Sequence, residues 1–125
     1  MSAEIGAKGA SDPTAFAIRQ ISWLTVLPSP AIPDPVRASK LDAGESAVLA
    51  LAIDDPNSEV VLDDLAARRC AERLRIPCLG TLGLPLAAKR LGVIDAARPL
   101  IEHVRRVGLY LDDELVEEVM RRIGE

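Results

Sequence analysis

Asp63 and Asp64 stand side by side where the apolar run Val60, Val61, Leu62 ends, and Arg68 and Arg69 follow one helical turn later. Two carboxylates that close repel unless a cation or a proton intervenes. A third, Glu45, lies in the segment LDAGE. A helix packed antiparallel to the strand after it starts where that strand finishes, so Glu45, Asp63 and Asp64 are expected at one sheet edge, where open α/β sheets bind ligands. Oxygen donors with no His or Cys beside them suit Mg²⁺ or Mn²⁺. Such ions serve reactions at phosphates. Plainer roles stand beside this one. Asp42 and Glu45 have the spacing of a capping box, and Asp63 and Asp64 can cap the next helix and complement its dipole. Arg68 and Arg69 can steer a phosphate, or form a solvated face paired with Glu72.

The elements that must position these groups follow from periodicity and punctuation. Asp12 and Pro13 open a short helix ending near Ile21. Ser22 to Pro28, rich in β-formers, reads as a strand. Pro28, Pro30, Pro33 and Pro35 then read as an extended surface connection. From Leu41 the elements alternate closely. A helix from Asp42 or Ala43 turns Val48, Leu51 and Ala52 to one face, and Asp54 to Ser58 form a turn. VVLD, residues 60–63, reads as a strand buried on both faces. The helix after it buries Ala67, Cys70, Ala71 and Leu74 until Pro77 stops it, and CLG, residues 78–80, is a second short strand. Two further helices end at Gly92 and Gly108. The last, with acids in its first turn, arginines in its last and Gly124 beyond, turns Leu111, Leu115 and Val119 inward. Helix, strand, helix, strand in this order implies parallel strands joined by right-handed crossovers.

Composition bounds what the chain can be. With 125 residues, it is expected to form a single domain. Apolar residues make up 49% and aromatics only 2%, so the core rests on Ala, Leu, Val and Ile. The net charge of −4 argues against a general polyanion binder. A local basic face is still available, because eleven of the fifteen Lys and Arg residues lie from Arg68 onward. No apolar run reaches the length of a membrane span and no leader pattern opens the chain, which reads as soluble and cytoplasmic. Cys70 and Cys78 read as buried free thiols. GTLG, residues 80–83, is a tight turn before it is a phosphate loop, and no dinucleotide or P-loop signature exists. His103, the only histidine, reads as structural.

The ordered set LDAGE, LDD followed by Ala and Arg, GTLG, AK followed by Gly, and LDDELVEEV resembles a prokaryotic family of PIN-domain proteins described as nucleic-acid binding and related to VapC-type toxins. The resemblance spans about Glu4 to Glu125 and is strongest from Leu41. It implies an α/β, Rossmann-like fold with a small parallel sheet flanked by helices. It implies a Mg²⁺- or Mn²⁺-dependent endoribonuclease in which Glu45, Asp63 and Asp64 match family acids and Glu4 matches the acid of an early helix. RNA and an antitoxin protein are the implied partners. Family members open with a strand bearing a further aspartate, in a DTS-type segment without a counterpart in these 125 residues. The expectation is therefore an N-terminally truncated PIN-like domain, and a second reading is a catalytically incomplete remnant acting through protein contacts. The same departure predicts a homodimer, built through the segment around Phe16 and Trp23 or through the C-terminal helix.

Overall fold

The computed structural model describes residues 13–125 and divides at Cys78 into two compact units, one ending at that residue and one running from Leu79 to Glu125. Glu4 and the Asp12 cap fall outside the described residues. Among those described, seven helices accompany a two-stranded parallel sheet, an α/β arrangement consistent with the PIN-like fold.

In the first unit, α1 (Pro13–Gln20) is followed by a chain without strand structure. The strand expected at Ser22 to Pro28 does not form, and Trp23 is 80% exposed. β-propensity measures how well a side chain fits a pleated, half-buried surface. Among the described residues this segment has no ladder partner, and most of its side chains are exposed. The connection through the prolines is also interrupted, because α2 (Asp34–Arg37) places Pro35 in its first turn and buries Val36 completely. Proline is compatible with that position, where its missing N–H would have no helical partner anyway.

α3 (Ala43–Asp54) starts at Asp42, whose Oδ1 accepts the Glu45 N–H at 2.8 Å. Its buried set is Gly44, Ser46, Ala47, Leu49, Ala50 and Ala52, wider than the expected face, with Val48 and Leu51 half-buried. A helix apolar nearly all round is enclosed nearly all round. β1 (Val60–Val61) pairs with β2 (Cys78–Leu79) through α4 (Leu65–Arg73), and the Val60 N–H donates to the Pro77 carbonyl at 2.9 Å. β1 is shorter than expected and buried on one face only. Val60 and Leu62 turn into the core while Val61 is exposed, since successive strand side chains alternate between faces and it is the face of Val60 and Leu62 that packs on the core. Val36, Leu49, Ala52, Val60, Leu62, Ala67, Cys70 and Ala71 form the core of this unit, which encloses the inner face of α4 as its spacing predicts.

The second unit holds α5 (Gly83–Arg90), α6 (Arg98–Arg106) and α7 (Asp113–Arg122). Ala97 and Ile101 pack against Val116 and Met120, with Leu111 and Val119 partly buried beside them. Leu115, expected inside, is 46% exposed. The Asp112 cap, whose Oδ1 accepts the Leu115 N–H at 3.1 Å, sets the helix so that the i, i+4 pair Val116 and Met120 forms the centre of its apolar stripe. α5, α6 and α7 end as their glycines predict, with Gly92, Gly108 and Gly124 at positive φ. At the last of these the Glu125 N–H reaches back to the Met120 carbonyl at 2.8 Å. No helix among the described residues is long and apolar enough to cross a membrane.

Candidate nucleic-acid interface

The end of β1 and the start of α4 bring four of the sequence-predicted residues into one short stretch. Asp64 takes extended backbone and caps α4, its Oδ2 accepting the Ala67 N–H at 3.0 Å. A negative charge there is also favoured by the helix dipole. Asp63, immediately before it, is exposed. Arg68 and Arg69 lie in the next turn on the exposed side of a helix whose opposite face, Ala67, Cys70 and Ala71, is buried. Glu45 lies in the first turn of α3 and is half-buried, with its backbone N–H engaged by the Asp42 cap.

Arg68 and Arg69 line an open groove of about 480 Å³ together with Leu65, Glu72, Ile76 and Cys78. That is within the usual range for a small-molecule site, roughly 300–1,000 Å³. Neither arginine makes an ion pair among the described residues, so of the two roles open to them the pairing with Glu72 is not formed. Arg73, on the same helix, is employed differently. Its Nη2 donates to the Ser39 hydroxyl at 2.8 Å, and that hydroxyl contacts the Cys70 sulfur at 3.1 Å. One arginine of α4 thus ties the helix to the loop after α2, and two others face a groove without making an ion pair among the described residues. Neither Cys70, which is buried, nor Cys78, half-buried at the groove wall, forms a disulfide among the described residues.

A family model described as a PIN domain matches residues 1–125. The chain belongs to this PIN-domain family. PIN domains form a nuclease family that acts on nucleic acid and generally depends on a divalent metal. No match to the chain was found among curated proteins or among solved structures.

Carboxylate oxygens are the right donors for Mg²⁺ or Mn²⁺. In this PIN domain, however, no three Asp, Glu, His or Cys side chains among the described residues gather closely enough to hold an ion. Glu45, Asp63 and Asp64 as placed do not fit a metal by themselves. The sequence singled out Arg68 and Arg69 as residues that could steer a phosphate, but not Leu65, Ile76 and Cys78, which line the same groove. Their alignment depends on how the chain turns after α4, where Arg75 adopts a left-handed conformation at φ 58° and redirects Ile76 toward β2. Nor did the sequence single out the Glu125 carboxylate, which accepts hydrogen bonds from Lys89 Nζ at 2.8 Å and from the N–H groups of Ala97 and Arg98 at 2.9 and 3.1 Å. Contacts across 27 to 36 residues leave no periodic signal in a sequence.

Proposed function

We propose that this PIN domain is a cytoplasmic, RNA-directed protein that takes a single strand along the start of α4, with Arg68 and Arg69 holding phosphate. The observation that carries the reading is the groove they line, in which neither arginine is engaged in an ion pair among the described residues although Glu72 shares the wall. In a chain of net charge −4, two neighbouring unpaired guanidinium groups make a local anion site that the molecule as a whole does not provide. Single-stranded RNA suits it, because an exposed phosphate and an accessible base can be met at once.

The acids belong to the same proposal at a lower level of completeness. Glu45, Asp63 and Asp64, with Glu4, are the residues the resemblance assigns to Mg²⁺- or Mn²⁺-dependent cleavage. The described ones do not gather into an ion site. Binding and cleavage therefore separate. RNA should bind in EDTA, and the chain alone should not cleave it at an appreciable rate when Mg²⁺ or Mn²⁺ is added. In a toxin–antitoxin pair, the groove is the surface an antitoxin would cover, in competition with RNA. Assembly as a homodimer is supported by the consecutive exposed apolar residues Trp23 and Leu24, continued by Val26 and Leu27.

Fluorescence anisotropy with labelled single-stranded RNA, followed by gel analysis of the same samples, tests the reading. Retained binding in EDTA with intact RNA after Mg²⁺ addition is the expected result. Mg²⁺-dependent cleavage abolished by Asp63→Asn would show that the acids do assemble, and would replace the binding reading with the enzymatic one. Light scattering on the same preparation should give the mass of a dimer at micromolar concentration. A monomer would remove the proposed assembly.

A further inference from the structure

The groove on α4 is not uniformly cationic. Glu72 lies in its wall beside Arg68 and Arg69. It follows them by four and three residues, spacings at which helical side chains readily meet. Even so, none of the three makes an ion pair or a side-chain hydrogen bond among the described residues. A carboxylate beside a phosphate site weakens it, so this groove suits a ligand that brings hydrogen-bond donors as well as negative charge. Among the RNA bases, guanine alone sets two donors side by side on its pairing edge, the ring N1–H and the exocyclic N2 amino group. Two parallel N–H bonds to one carboxylate form the same fork that makes arginine–carboxylate pairs strong and directional. Adenine, cytosine and uracil place an acceptor next to their donor, and that acceptor would face the second carboxylate oxygen with repulsion. Leu65 and Ile76 add apolar lining on which the face of a base can rest.

We propose that this groove reads guanine in single-stranded RNA. Glu72 accepts from N1–H and the N2 amino group, Leu65 and Ile76 flank the ring, and Arg68 and Arg69 hold the adjoining phosphate. The inference rests on the RNA-binding reading above and deepens it by naming the base.

The test uses nine-nucleotide oligouridylates carrying guanosine, inosine, adenosine or cytidine at the centre, with the unsubstituted strand as reference, titrated by anisotropy in EDTA. The central guanosine should tighten binding about tenfold over the reference, the scale of one good bidentate base contact. Inosine keeps N1–H and lacks the amino group, so it should forfeit most of that gain on the unaltered protein. Glu72→Gln, at an exposed position, should bring the guanosine and reference strands within a factor of about two of each other. Equal affinity for all strands, or a guanosine preference unchanged in Glu72→Gln, overturns the base assignment. If those equal affinities also weaken together in the double variant Arg68→Ala and Arg69→Ala, RNA binding at the groove survives without base selection. Failure of every strand to bind overturns both readings.

Discussion

Glu125 gathers one lysine ammonium and two backbone N–H groups on a single carboxylate. Its side chain is 14% exposed and takes hydrogen bonds from Lys89, at the end of α5, and from the N–H groups of Ala97 and Arg98, at the start of α6. Ala97 and Arg98 begin a helix whose opening turn has no side-chain cap of its own, so Glu125 satisfies donors that would otherwise lack an acceptor. The Lys89 ammonium, followed by the two backbone N–H groups, holds the carboxyl down to about 2, from an ordinary value of 4.5. A depressed folded-state pKa gives stability that is present above the unfolded value and lost as pH falls toward the folded one. The contribution of Glu125 is therefore complete above about pH 4.5 and disappears toward pH 2. Glu125→Gln should lower stability at neutral pH and flatten the acid limb of the curve, measured by urea unfolding across that interval. An acid limb identical to that of the parent protein would assign the pH dependence to other carboxylates.

At the scale of the element, α4 joins the two strands, packs the core with one face and presents the groove with the other. Asp64 fixes where it begins. Its carboxylate is occupied by capping, so the acid that the resemblance assigns to a metal also has a structural task. Substitution separates the two. Asp64→Ala should cost about 0.5–2 kcal/mol of stability through the lost cap, whereas Asp64→Asn should cost little because asparagine caps equally well. Chemical denaturation checks both, and equal losses in the two variants would mean that the negative charge, rather than the cap, is what the helix needs. How legible the elements are in the sequence follows the same physics. Asp42, Asp64, Asp112 and the three terminal glycines act on backbone groups only a few residues away, so their spacing exposes helix ends directly. The end of α4 is less visible because an arginine, Arg75, occupies the left-handed position where glycine is usual. Ser22 to Pro28 misleads because strand formation depends on a partner that no local pattern encodes. The adjacency of Asp63 and Asp64 could be read, but whether Glu45 approaches them depends on packing between elements, and that distance is not written in either segment.

For the whole molecule, the charge distribution matters more than the total. The chain is acidic, yet Arg68 and Arg69 of α4 face a groove without ion-pair partners among the described residues, while some arginines of the second unit are engaged, Arg98 with Glu117 at 2.9 Å and Arg105 with Asp113. Exposed pairs of that kind contribute little to stability. They do, however, withdraw those cations from competition for an anionic strand. Binding should then be focused on the groove, with a modest number of phosphates neutralised rather than a broad polyanion surface. The salt dependence of RNA affinity measures that number directly. For single strands, the logarithm of the binding constant falls with the logarithm of salt concentration by about 0.7 for each phosphate neutralised. Titrating single-stranded RNA at several salt concentrations, with the parent protein and with the double variant Arg68→Ala and Arg69→Ala, should show the slope shrinking by about 1.4 as two phosphate contacts are lost. An unchanged slope and an unchanged affinity in the double variant would contradict RNA binding at the start of α4.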